Sequence, residues 1–218
     1  TQRSLEAARE DLRGQQERYR LGVSTILDVL TTTEALTQAE VEAQAAHLYA
    51  AASRRELVEP LTDAYPGLTV EDAYRVQDAL VARHLADGAS LVGAKLGLTG
   101  RAKQVEMHVH EPIGGWLTDR MALARGEDLV VSSLGQPRVE PEIAFGLRLP
   151  LAGPDVTGAD VLRATEWVAP AIEVLDSRYR DYRFTLPDVV ADEASAGRFV
   201  IGAPVAPDGV PLDLVGVV

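Results

Sequence analysis

Carboxylates stand in this chain where strand-like apolar runs would ordinarily carry hydrophobic residues. In Pro137-Arg138-Val139-Glu140-Pro141-Glu142-Ile143-Ala144-Phe145, Glu140 and Glu142 are two residues apart. On an extended chain they therefore share a face. Val139, Ile143 and Phe145 supply the apolar context. A third carboxylate, Glu173, sits in a second apolar run, after Val168-Ala169-Pro170-Ala171-Ile172. Same-face glutamates repel unless a cation lies between them or one of them binds a proton. Three oxygen-donor side chains, with no cysteine and no convincing histidine partner, suit a hard ion such as Mg²⁺ or Mn²⁺. The competing reading is the solvated face of an amphipathic strand, and spacing alone leaves both open.

Other residues carry chemistry of their own. Lys95 lies in the Gly-flanked apolar run Leu91-Val92-Gly93-Ala94-Lys95-Leu96-Gly97, an expensive place for a lone ammonium. It either reaches the surface or faces a polar site. Arg178, after Asp176-Ser177, could clamp a carboxylate bidentately or pair with Asp176 or Asp181. Asp188 and Asp192 read as loop caps or as site residues. His108 and His110 alternate in Met107-His108-Val109-His110, which suits either a metal or a solvated turn.

Composition bounds what these residues can do. At 218 residues the chain can form one large domain or two small ones. Without cysteine there is no disulfide, thiolate nucleophile or Cys-based zinc site, which fits a reducing compartment. A net charge of −12 argues against nucleic acid and anionic membrane as partners. An acidic small molecule would need a bound cation or a local Lys or Arg. No apolar run reaches the roughly 18 residues of a membrane span, and no signal peptide is evident. The sequence starts without Met and stops inside Leu214-Val215-Gly216-Val217-Val218, so it reads as a fragment.

The elements that position these residues fall into two textures. Residues 1–52 are rich in Ala, Gln, Glu and Arg, with Leu5, Ala8, Leu12 and Tyr19 at helical spacing. Gly22 interrupts, and Thr25-Ile26-Leu27-Asp28 reads as a capping box that opens a second helix running to about Glu56. An α-helical hairpin or coiled-coil segment is predicted. From about Ser53 the pattern is β-rich α+β: a loop over 61–69, a helix from Val70 to Leu85, a strand over 91–99, and a helix around Gly158 to Trp167. The stretch Gln16 to Leu30, continued by Thr33-Glu34-Ala35-Leu36, resembles the outer-membrane efflux factor family, whose members build trans-periplasmic helical tunnels. That resemblance covers about fifty residues.

Residues 53–218 resemble a different family. The matching segments are Gly93-Ala94-Lys95-Leu96-Gly97-Leu98-Thr99, Glu111-Pro112-Ile113-Gly114-Gly115-Trp116-Leu117-Thr118-Asp119, Pro137 to Phe145, Glu173 to Arg178, and Val190-Ala191-Asp192-Glu193-Ala194-Ser195-Ala196-Gly197. They resemble, in order, the fumarylacetoacetate hydrolase superfamily, in its branch of 2-hydroxypenta-2,4-dienoate hydratases and 4-oxalocrotonate (2-oxo-3-hexenedioate) decarboxylases. The resemblance implies a β-rich α+β fold, here C-terminally truncated. It also implies a Mg²⁺- or Mn²⁺-dependent lyase of meta-cleavage aromatic catabolism, acting on a small 2-oxo dicarboxylate in the cytoplasm. The ion is expected on Glu140, Glu142 and Glu173, with Lys95, Asp176 and Arg178 as catalytic residues. A homo-oligomer and a complex with a partner hydratase are expected as well.

Decarboxylation is favoured over hydration because Ile113 stands where hydratases of the family tend to carry an acid, and because Asp176-Ser177-Arg178-Tyr179 and Tyr182 to Asp188 look more like the decarboxylases. Three departures accompany the match. Glu193 replaces the usual asparagine, Gly114 replaces a common aromatic and is expected to loosen its loop, and the missing final strands would leave an unpaired sheet edge. The contrasting reading of another class is a non-enzymatic, efflux-factor-like helical component fused to an inactive domain. It predicts a helical pair from Leu5 to Glu56 that packs loosely on the rest.

Overall fold

The computed structural model describes residues 2–106 and 109–209. Two long helices open the chain, α1 (Gln2–Arg20) and α2 (Ile26–Arg54). Strong helix formers make up α1, and Gly22 turns the chain with φ +72°, a conformation open to glycine at little cost. The capping box forms as its residues predict: the Thr25 hydroxyl accepts from the Asp28 amide at 3.2 Å, and Asp28 Oδ2 accepts from the Thr25 amide at 2.7 Å. The hairpin tip is exposed at Leu21, Val23, Ile26, Leu27 and Leu30. Its base is not loosely packed. Val41, Ala45, Leu48 and Ala51 of α2 are buried. The helix thus runs past residue 52 and carries the first segment into the main core.

That core lies among helices. A one-turn helix α3 (Leu61–Ala64) interrupts the expected 61–69 loop, and α4 (Val70–Ala86) follows. Thr69 caps α4 by accepting from the Asp72 amide. Val41, Ala45 and Leu48 meet Ala73, Val76 and Leu80 in one buried cluster with Tyr179, Val189 and Val190. Removing a side chain such as Leu48 from such packing costs about 2–5 kcal/mol. Arg75–Glu34 (3.0 Å) and Arg83–Glu42 (2.9 Å) pairs fasten α4 to α2 at the rim.

Strands follow. β1 (Leu91–Gly97) and, after the short helix α5 (Arg101–Glu106), β2 (Ile113–Thr118) form an antiparallel pair in which Lys95 faces Gly115. β1 is shorter than expected because Leu98 takes a left-handed φ of +56° and ends the strand. The remaining strands are β3 (Ala122–Leu123), β4 (Arg138–Leu147), β5 (Thr165–Leu175) and β6 (Ala196–Ile201), in the sheet order β3-β6-β5-β4. Helix α6 (Gly158–Ala164) precedes β5, and α7 (Leu186–Ala191) precedes β6. The helix expected to reach Trp167 stops at Ala164. Thr165 there turns its hydroxyl back onto the Val161 carbonyl at 2.7 Å and starts the strand, a place suited to β-branched and aromatic residues. Trp167 lies over Gly146, where even a Cβ would overlap the indole. One face of β4–β5 is apolar and open, with Val139 64 %, Ile143 43 % and Ile172 45 % exposed. The opposite face carries the acids. The architecture is α+β, as the sequence pattern predicts.

Candidate metal centre

Register brings the three glutamates together. β4 and β5 are antiparallel with Glu140 opposite Glu173 and Glu142 opposite Ala171. Directly opposed residues share a face, and so do residues two apart on one strand. Glu140, Glu142 and Glu173 therefore point the same way, and each offers a carboxylate oxygen within 4.8 Å of the others. Glu140 and Glu142 are exposed, while Glu173 is only 6 % exposed. Small residues flank them on that face: Ala171 across from Glu142, then Ala144 opposite Ala169.

Electrostatics identify what the cluster lacks. Burial, then the neighbouring Glu140, push the Glu142 carboxyl above its ordinary value, and Lys95 only partly offsets this. Burial also raises Glu173, against the pull of Lys95. Lys95 Nζ lies 2.5 Å from Glu173 Oε1 and donates to the Ala194 carbonyl at 2.8 Å. The Lys95 ammonium thus pairs with the buried Glu173 carboxylate. One ammonium faces three carboxylates. A divalent cation would supply the missing charge, and an all-oxygen donor set fits Mg²⁺ or Mn²⁺.

The other expected site residues lie apart from this cluster. Asp176 accepts from the backbone amides of Gly135 and Gln136 at 2.8–3.1 Å and so ties down the approach to β4. Arg178 is buried and pairs with Asp192, neither Asp176 nor Asp181. Its Nη1 donates to the Asp176 and Ala196 carbonyls at 3.0 and 2.9 Å, and its Nη2 to the Asp192 carbonyl. Asp192 is pushed up to about 6 by its burial, against the pull of Arg178. Asp188 caps: it accepts from the Thr185 amide at the start of α7 and from the Thr62 amide and hydroxyl. His110 is exposed and outside the carboxylate group, and His108 lies outside the described residues, as do Leu214 to Val218.

Two departures take on a physical meaning. Gly114 is held, not loosened: its amide donates to the Tyr74 hydroxyl at 3.2 Å and its carbonyl accepts from buried Gln77 at 3.0 Å. Glu193 is buried and turns away from Lys95 toward His84, with 3.4 Å between His84 Nε2 and Glu193 Oε2. Ile113, the residue taken to separate the two reactions, packs in the helical core against Gly97 and Ala194. Sequence reasoning missed the Ala194 carbonyl and the left-handed turn that presents it. Glu, Ala and Ser carry no signal for such backbone.

No family model matches the chain. A 2-hydroxypent-2,4-dienoate hydratase of Pseudomonas putida is 48 % identical over 156 residues, covering 71 % of this chain and 70 % of that protein. A 2-hydroxyhexa-2,4-dienoate hydratase of Comamonas testosteroni is 44 % identical over 164 residues, 74 % of this chain and 62 % of the relative. Among solved structures, a 4-oxalocrotonate decarboxylase from Pseudomonas putida G7, complexed with magnesium and adipate, superposes with a TM-score of 0.78 at 37 % identity, over 79 % of this chain and 66 % of that one. The chain thus spans roughly two thirds of the length of these relatives. The likeness of the first fifty residues to efflux factors finds no support in these comparisons.

Proposed function

Because the chain belongs to the family of 2-hydroxypentadienoate hydratases and 4-oxalocrotonate decarboxylases, we propose that it is a metal-dependent carbon–carbon lyase that decarboxylates 2-oxo-3-hexenedioate. The observation that carries the reading is the convergence of Glu140, Glu142 and Glu173 around the pinned amine of Lys95. Glu140, Glu142 and Glu173 would hold Mg²⁺ or Mn²⁺. The bound ion would polarise the carboxylate and 2-oxygen of a 2-oxo acid and act as an electron sink. Lys95 holds its ammonium beside Glu173 of that ligand set, where it would face the 2-oxygen of a substrate bound on the ion. As the bond from C5 to the departing carboxylate breaks, its electron pair moves through the conjugated chain to the 2-oxygen, and the Lys95 ammonium is placed to protonate that oxygen. The product is the dienol, 2-hydroxypenta-2,4-dienoate, and CO₂.

Hydration of 2-hydroxypenta-2,4-dienoate is the second reading, because relatives of comparable identity include hydratases (44 and 48 %) as well as decarboxylases (41 and 46 %). It would use the same ion and the same lysine, with a proton delivered to carbon and water aimed at the adjacent position. Cytoplasmic location, homo-oligomeric assembly and a partner hydratase belong to the same proposal; no described helix is long and apolar enough to cross a membrane. The test offers purified protein each substrate in turn, with Mg²⁺ and with chelator, following CO₂ release and loss of dienol absorbance. Metal-dependent CO₂ release supports decarboxylation, dienol consumption without CO₂ makes the chain a hydratase, and neither activity would sink the lyase reading.

A further inference from the structure

Glu193, Ala194 and Ser195 hold φ of +51°, +51° and +60° in succession, a left-handed run with no glycine in it. Such backbone costs an L-residue roughly 1–2 kcal/mol and persists only where its surroundings fix it. Here they do. Arg178 brackets the turn, holding Asp192 on one side by carboxylate and carbonyl and the Ala196 carbonyl on the other at 2.9 Å. Inside the bracket the Ser195 amide donates to the Asp192 carbonyl at 2.8 Å, and the Ser195 carbonyl accepts from the Asp176 amide at 2.9 Å. From the other side β2 presses against it: a Cβ on Gly115 would come within 2.5 Å of the Glu193 carbonyl oxygen.

This arrangement aims the Ala194 carbonyl at Lys95 Nζ, 2.8 Å away, while Glu173 holds the amine from the sheet. Each guanidinium nitrogen of Arg178 already donates to Asp192, Asp176 or Ala196, and the side chain is 7 % exposed. We propose that the Arg178-bracketed turn is a positioning element. Arg178 acts through the Ala194 carbonyl to set the Lys95 amine against the carboxylate cluster and does not touch substrate, while Gly115 leaves the space that the turn and the Lys95 stem share. The proposal rests on Lys95 as the proton carrier of the lyase reading.

Lys95 and Lys103 are the two lysines of the sequence, so ¹⁵N-lysine labelling of the full chain gives a side-chain spectrum in which K95R identifies the Lys95 signal. Arg178→Lys keeps the charge and loses the fork, and Gly115→Ala pushes the turn from the opposite side. Each is expected to shift the Lys95 Nζ signal while leaving that of Lys103 in place. Each should also lower kcat by up to about 100-fold, the scale of a 1 Å misplacement. KM and Mn²⁺ affinity should stay within about two-fold of the parent. An unmoved Lys95 signal in Arg178→Lys overturns the proposal. So does a raised KM at unchanged kcat in Arg178→Lys, which would make Arg178 a substrate clamp. Should Arg178→Lys fail to fold, Asp192→Asn, which weakens the same bracket from its other partner, decides in its place. Should the parent chain show no turnover, the lyase reading fails and the Lys95 signal still decides the positioning.

Discussion

Two charged clusters sit on neighbouring elements of this molecule, and they are built on opposite plans. Around Arg178 nearly every donor finds an acceptor: Asp192 receives its Nε, three backbone carbonyls receive the rest, and Ser177 Oγ donates to Asp192 Oδ2 at 3.2 Å. Around Glu173 three carboxylates share one ammonium. Like charges gathered with too little opposite charge repel, and the excess calls for a reason. The balanced cluster commits its guanidinium to the turn, although Glu193 Oε1 and Ser195 Oγ beside it are buried without a hydrogen-bond partner. The unbalanced one has an appetite for positive charge.

The strongest way to break this contrast is to remove one charge from each cluster. Glu142→Gln or Glu173→Gln should abolish Mn²⁺ binding and turnover, a loss beyond the roughly 10–100-fold that changes outside the ligand shell cost, with the fold retained by circular dichroism. Titration of Mn²⁺ by electron paramagnetic resonance reads this directly. Unchanged Mn²⁺ affinity in both variants would reassign the ligands. Arg178→Met should do the reverse. It strands Asp192 as an uncompensated buried charge, which costs about 3–5 kcal/mol of stability, measured by urea unfolding. Mn²⁺ affinity of the folded fraction should stay close to the parent's. A metal affinity that collapses with Arg178→Met would merge the two clusters into one.

The unbalanced cluster was the more legible of the two. Period-two spacing placed Glu140 and Glu142 on one face with no knowledge of the fold, since alternation is a property of the strand itself. Glu173 was recognisable as a polar intrusion into an apolar run, although only the register of β5 on β4 shows that it opposes Glu140. The capping boxes at Thr25 and of α7 were readable or half-readable for the same local reason. Asp188 was open between cap and site, and its partners Thr62 and Thr185 decide for the cap. The balanced cluster was not legible. Arg178 finds Asp192 fourteen residues away across a turn of unusual handedness, and neither local propensity nor periodicity encodes that handedness. Ile113 was legible only as a position where hydratases of the family tend to carry an acid; that the β2 register turns it into the helical core is visible in the fold alone.

Proton competition sharpens the contrast further, with the smallest effect. Glu142 and Glu173 both have carboxyls raised above the ordinary value, chiefly by burial. Without metal, their charged forms are penalised in the fold, so the stability these groups contribute is fully present in acid, below the unfolded-state value of 4.5, and is lost as pH rises through the raised values. A bound divalent ion inverts the sign, because it binds the carboxylates and competes with their protons. The stabilisation conferred by Mg²⁺ should therefore be small near pH 4.5 and grow toward neutrality. There, at an ion concentration 100 times Kd, it should reach about 2.7 kcal/mol. Thermal unfolding with and without Mg²⁺ across this range measures the difference. Asp192 is raised too, to about 6, but it lies in the balanced cluster, so its own pH dependence should appear equally in both curves and cancel. A gap between the curves that is constant with pH would mean that the ion binds elsewhere than on the raised carboxylates.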